Sequence, residues 1–328
     1  MKHLFALLLL TTTCFAFELA THPSRTVTVS VVSNDGAPVQ GASVQAVFDT
    51  GIRGDPDKAG NVVTVETDAD GNAVLMGRTA YPVDVSVSKE GFYVSRMEVT
   101  FSEYDETKNK AIEHDERSVT IELKPVRSPA ALHAMRFEGY LPDADKDVGF
   151  DFEAGDFVAP FGSGKTSDLI FRYNGWVKSI REFSGRLKVF FVGDSDGSYD
   201  ASELVYPPSE LLFPHEVPDD ASFNPKPLEW ERKRLLSEDG KAAYDNEDPA
   251  VNYFLRIRSV KDSEGNLQQA NYAKLQDGLK FDPRSEDGVC YVQFTYYFNP
   301  RANDRNLEFD PERNLFGDLD RKEQVYKP

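Results

Sequence analysis

The chain has 328 residues, 40% hydrophobic and 28% charged, with a mean hydropathy of −0.48. That is too polar for a membrane-embedded protein and too apolar for a disordered one. The 37 Lys and Arg against 55 Asp and Glu leave a net charge of −18, which opposes nonspecific binding to DNA, RNA or anionic lipid, because phosphate contacts need a basic surface.

Met1-Lys2-His3 is a short basic start, and Leu4 to Phe17 follow as an apolar run. The run is shorter than the ~20 residues a bilayer requires. It fits a secretory signal peptide over 1–16, cleaved after Ala16 with Cys14 and Ala16 at the small-residue positions. Leu10 to Cys14 also loosely resembles a bacterial lipobox, with Thr13 a poor fit, so a lipid anchor at Cys14 is the competing expectation. The mature chain is expected outside the cytoplasm: periplasmic, on the outer surface, or extracellular. Cys14 and Cys290 are the only cysteines. Loss of Cys14 would leave Cys290 without a partner, in a run where Cys290, Val292, Phe294, Tyr296 and Phe298 share one side at period two. A small hydrophobe in a core is the expectation there.

Thr26 to Ser33 alternates hydroxyl side chains with Val27, Val29 and Val31, the pattern of a half-buried strand. Asn34-Asp35-Gly36 turns the chain, and Ala42 to Phe48 reads as the next strand. Thr67 to Ala73 is a second tight turn. Val83, Val85 and Val87 alternate again, and Val119, Ile121 and Leu123 close the series before Pro125. The stretch from Tyr104 to Arg117 reads as a solvated loop. Asp35 to Val44, Thr67 to Ala73, and Tyr81 to Tyr93 with Lys89-Glu90-Gly91-Phe92 together resemble the carboxypeptidase regulatory-like (transthyretin-like) domain. The resemblance covers residues 25–125 and implies a seven-stranded Greek-key sandwich, an accessory module of secreted bacterial proteins. The zinc chemistry of the enzymes that named the domain is excluded by residue inventory. It needs a His-x-x-Glu pair, and none of His22, His114, His133 or His215 has Glu three residues on.

After the Pro125 to Pro129 linker, strands are expected near Phe150, over Asp168–Tyr173, Arg186–Val192, Tyr253–Arg258, Asn271–Leu275 and Val289–Phe298. Ser263-Glu264-Gly265-Asn266 should turn a hairpin. Residues 130–300 thus read as a second, mainly antiparallel β domain, with a long proline-rich excursion at 200–248. Within it, Leu228 to Tyr244 is read as a helical turn or two at most, since Gly240 and poor apolar periodicity oppose a longer helix. Residues 301–328 read as an extended polar tail. The fold class expected is all-β. Gly155 to Pro160 and Asn303 to Asp310 are similar to segments of secreted proteins of environmental bacteria, a resemblance that implies no activity.

Three motifs bear on chemistry. Ala159 to Thr166 satisfies a relaxed Walker A pattern, but a strand-like run follows where a phosphate-binding helix is needed, so it reads as a Gly-rich loop. The segment from Val192 to Glu203 resembles an EF-hand loop and offers Asp194, Asp196, Asp200 and Glu203 as calcium ligands. Val192 stands where the first Asp belongs, and flanking helices are missing. Asp143, Asp145 and Asp147, and the pair Asp68 and Asp70, are weaker versions read as turns. Trp176 is the best sequence candidate for an aromatic that stacks on a sugar ring, with Trp230 the other.

No catalytic residue or resident cofactor is assigned, beyond calcium at the Asp194–Glu203 loop. The expectation is an exported, non-catalytic binding, adhesion or envelope-structural protein with an unidentified surface partner, binding no nucleic acid. The alternative is a carbohydrate-binding or polysaccharide-processing protein using the second β domain. The negative charge favours a monomer.

Overall fold

The computed structural model describes residues 22–49, 61–105, 107–144, 146–204, 213–235, 244–245, 251–284 and 289–326. The leader, its cleavage point and Cys14 lie outside the described residues. Apart from one turn of 3-10 helix at Ser202–Leu204, every regular element among those described is a strand. The chain is an all-β protein of mainly antiparallel sheets, as its alternating valines and turn residues predict. Among the described residues no helix is long and apolar enough to cross a membrane.

Two compact units divide the chain, the first drawing on segments up to Ile121 and the second mainly on Glu122 onward. The first unit is built on β1 (Ser24–Ser33), β2 (Ser43–Phe48), β3 (Asn61–Glu66), β4 (Asn72–Arg78), β5 (Val83–Ser88), β6 (Ser95–Val99), β7 (Ser102–Asp105), β8 (Lys110–Glu113) and β9 (Glu116–Leu123). One sheet has the order β4-β1-β9 and the other β3-β2-β5-β6. Val27, Val29 and Val31 of β1 have no exposure, nor do Val44, Ala46 and Phe48 of β2. The hydroxyl side chains between the β1 valines face outward, because successive residues of a strand point to opposite faces. The stretch 104–117 departs from the solvated loop read in the sequence: β7 and β8 pair there as a hairpin. Its charged residues hid a strand that has little apolar surface to bury.

Gly77 on β4 shows how closely the layers approach. A Cβ built there would sit 2.3 Å from the Phe48 ring. Gly77→Ala should therefore lower the unfolding free energy by about 1–3 kcal/mol, the cost of overpacking a core. Urea denaturation checks this, and an unchanged midpoint refutes it.

The second unit holds β10 (Ala130–Tyr140), β11 (Asp147–Asp151), β12 (Asp156–Phe157), β13 (Leu169–Ser179), β14 (Glu182–Phe191), β15 (Gly197–Asp200), β16 (Leu228–Arg234), β17 (Tyr244–Asp245), β18 (Tyr253–Lys261), β19 (Leu267–Asp282), β20 (Tyr291–Asn299) and β21 (Phe309–Asn314). Two six-stranded sheets form, β12-β11-β13-β14-β16-β17 and β15-β18-β19-β20-β10-β21. An aromatic core joins them: Phe150, Phe171, Tyr173 and Trp230 from the first sheet, with Phe137, Phe294, Tyr296 and Phe298 from the second. Cys290 and Val292 are buried in the same core, and burial pushes the Cys290 thiol pKa up, away from reactivity.

The outer face of the second sheet is covered as well. Phe213, Val217, Leu307, Phe309 and Val325 pack there with Phe254, Tyr272 and Tyr297. Every residue from Ala270 to Gln276 is consequently buried, with no alternation. Residues 301–328, expected as an extended polar tail, instead supply β21, which pairs parallel to β10. Leu228–Arg234, where a helical turn was expected, is strand β16, paired antiparallel to β14. Trp230 is 6% exposed and faces the core, so it offers no platform to a ligand.

Candidate functional site

The Gly-rich loop of the Walker-like segment leads into β13, as its sequence context suggests. Its amides are already engaged by the protein's own carboxylates. Asp156 accepts from Ser163 N at 2.7 Å, and Asp151 accepts from Lys165 N at 2.9 Å and Thr166 N at 3.0 Å. Where a P-loop would cradle a phosphate, two aspartates occupy the donors.

The Val192–Glu203 segment places its acids apart. Asp194 is exposed, and Asp196 is 2% exposed and turned inward. Asp196 accepts from Gly193 N at 2.7 Å and from Ser259 N at 2.9 Å. Asp200 accepts from Ser202 N at 2.9 Å, and it lies within strand β15 where an EF-hand loop would still be turning. The Glu203 side chain lies outside the described residues. Among the described residues no group of three or more His, Cys, Asp or Glu is arranged to hold a metal. Asp68 closes a turn, accepting from Asp70 N and Asn72 N.

Trp176 is 42% exposed on β13, and Lys178 Nζ lies 5.5 Å from its ring centroid. The outward face it shares carries a lattice of ion pairs, most of them cross-strand. Arg172 binds Asp147 at 2.6 Å, Lys188 binds Glu229 at 3.0 Å, Arg186 binds Glu229 at 3.2 Å, and Lys233 binds Glu231 at 3.2 Å. Exposed pairs of this kind each add about 0–1 kcal/mol. Their stronger consequence is that Asp147, Glu229 and Glu231 are each matched to a neighbouring cation.

Two polar networks of the second unit had no sequence signal. In the first, Arg258 sits at φ 52°, where the β18–β19 register shifts. Its guanidinium clamps Asp168 through Nε at 2.6 Å and Nη2 at 2.9 Å. Glu153 and Asp151 also contact it, and Asp168 additionally accepts from Phe152 N at 2.8 Å. In the second, Glu308 is 1% exposed. Burial raises its carboxyl pKa, but the Arg127 and Ser128 amides outweigh burial and hold it below the usual range. His215 Nε2 lies 2.9 Å from the Pro125 carbonyl and 3.3 Å from Glu308. Both neighbours accept, so Nε2 carries the proton. Burial, assisted by Lys124, lowers the His215 pKa to about 4, so the ring is neutral at pH 7. Lys124 donates to the Phe213 carbonyl at 2.6 Å, and burial lowers its pKa to about 8. Lys274 has no exposure, and its Nζ has no hydrogen-bond partner among the described residues. It rests 4.3 Å from the Tyr297 ring centroid and 5.3 Å from that of Phe213. Burial holds its pKa well below the ordinary value.

No family model and no curated protein matches the chain. Similar solved structures include 3-chlorocatechol 1,2-dioxygenase of Rhodococcus opacus 1CP, 13% identical over 32% of this chain and 61% of that chain, with a TM-score of 0.25. Catechol 1,2-dioxygenase of Acinetobacter radioresistens is 13% identical over 33% of this chain and 53% of that one, with a TM-score of 0.25. A DUF3823 family protein of Parabacteroides merdae is 7% identical over 72% of this chain and 91% of that one, with a TM-score of 0.20. The chain spans less than two thirds of either dioxygenase, and no activity passes from these proteins to this one. The paired sheets define a β-sandwich protein.

Proposed function

We propose that the chain is an exported, non-catalytic binding or envelope-structural protein with a carboxypeptidase regulatory-like N-terminal module. The supporting observation is the use made of its acids. On the open face of β11, β13, β14 and β16, Asp147, Glu229 and Glu231 are tied to Arg and Lys partners. In the interior, Asp151, Asp168, Asp196 and Glu308 are spent on backbone amides and an arginine. A general acid or base needs a carboxyl free to exchange a proton with substrate, and these groups hold the fold instead. Export rests on the leader read from the sequence.

The exposed indole of Trp176 favours a second reading, in which this sheet binds or processes carbohydrate. One experiment addresses both. The full chain is expressed with a C-terminal tag, the host is fractionated, and the purified protein is incubated with polysaccharides. The expected result is a processed N-terminus in the envelope or medium and no release of reducing ends. A cytosolic, unprocessed chain would defeat export, and saturable release of reducing ends would defeat the non-catalytic reading.

A further inference from the structure

The second sheet opens a polar recess of about 140 Å³ where β19 gains two residues over β20. Gln276 pairs with Thr295 and Leu279 with Phe294. The surplus is absorbed by Asp277 and Gly278 at φ 60° and 71°. Left-handed backbone at a non-glycine residue is costly, and it recurs where a chain grips a ligand. The Asp277 amide is held by Asn252 Oδ1 at 2.9 Å. Arg136, Gln276, Asp277, Lys280, Gln293 and Thr295 line the recess.

Gln276 decides what the recess lacks. The residue is 6% exposed, yet its Oε1 has no hydrogen-bond partner among the described residues. A buried acceptor left unmade is unfavourable, and a hydroxyl entering the recess would satisfy it. The other walls offer both polarities. Arg136 and Lys280 donate, while Asp277 accepts and Glu138 pairs with Arg136 at 2.8 Å. An anion here would face Asp277, and a cation would face Arg136 and Lys280. Neutral hydroxyls, each one donor and two acceptors, match the mixed wall without repulsion. The volume lies below the roughly 300–1,000 Å³ of pockets for drug-sized ligands and suits one ring.

We propose that this recess binds a single neutral sugar residue. Gln276 Oε1 and Asp277 accept from its hydroxyls, and Lys280 and Arg136 donate to them. The assignment rests on reading the chain as a non-catalytic binding protein, and it lies on a different sheet from Trp176.

The test is a titration of the full chain with D-glucose, D-galactose, D-mannose and N-acetyl-D-glucosamine at millimolar levels, followed by NMR of backbone and carboxamide signals. D-Glucuronate and D-glucosamine serve as charged counterparts. At least one neutral sugar is expected to shift the Gln276 carboxamide and the Asp277 and Gly278 amides. Asp277→Gly keeps the left-handed backbone without strain. That variant and Lys280→Ala should each weaken binding about tenfold. Tighter binding of a charged counterpart, silence with every sugar, or indifference to both variants overturns the proposal. Shifts confined to Trp176 overturn it while leaving the binding-protein reading standing. Turnover of a bound sugar overturns that reading and leaves the recess assigned.

Discussion

Arg258→Ala should lower the unfolding free energy of the second unit by about 3–5 kcal/mol, the cost of leaving one member of a buried ion pair alone. The Asp168 side chain has no exposure, and Arg258 supplies two of its hydrogen bonds. Removing the guanidinium leaves that carboxylate with the Phe152 amide as its remaining described partner. It also strips Glu153 and Asp151 of the cation they share. Alanine inherits the left-handed backbone at φ 52° without any bond to compensate for it. Arg258→Lys should recover only part of the loss, because an ammonium cannot reproduce the two-pronged contact. Guanidinium chloride denaturation reads both variants. A loss under about 1 kcal/mol, the ordinary range of a surface pair, would show that Arg258 is peripheral.

Lys274→Met should act in the opposite direction and stabilise the protein by about 1–4 kcal/mol near pH 7, as when apolar residues replace buried charge. Lys274 lies in a cross-strand row with Phe254 and Tyr297, enclosed by the segment carrying Phe213. Two aromatic rings compensate only part of the solvation its ammonium has lost. The pH dependence identifies the cause. Burial puts the folded pKa well below the ordinary 10.5. Between the folded and unfolded titrations the unfolded chain binds the extra proton, so this site's contribution to stability rises with pH. The advantage of Lys274→Met should therefore shrink as pH is raised from about 7 to about 10. Lys124, lowered to about 8, adds a like slope between that pH and its unfolded titration, but it does so equally in both proteins. A variant that is less stable, or whose advantage ignores pH, would refute this account of Lys274.

Legibility differed from element to element for physical reasons. The β1 valines and the run from Cys290 to Phe298 alternated because one side of each strand is more apolar than the other. The Ser263–Asn266 turn was visible because its cause is local: Asp262 Oδ1 accepts from Glu264 N and Asn266 N, and Gly265 takes φ 88°. β16 was hidden because Leu-Glu-Trp-Glu-Arg-Lys-Arg turns a charged row outward, and Arg186 and Lys188 of β14 pair with its glutamates. β19 was legible only as Asn271–Leu275, and its full span from Leu267 to Asp282 was not, because both faces are covered over Ala270–Gln276, which removes the period of two. Trp176 ranked ahead of Trp230 as a sugar platform in the sequence, and their facing within the sheet separates them: Trp176 is 42% exposed and Trp230 6%. The recess left one faint mark, Asp277-Gly278 inside a strand, which is where an isolated glycine suggests a bulge.

Taken alone, the amino-acid order determined the all-β class and many turns, since side-chain alternation and glycine or Asx chemistry act within a few residues. Tertiary structure alone decided which charges are buried and with whom. Arg258 meets Asp168 ninety positions away, and Glu308 meets Arg127 and Ser128 across a greater span. Such pairings depend on strand register and on which face a later segment covers, and neither quantity is encoded in local spacing.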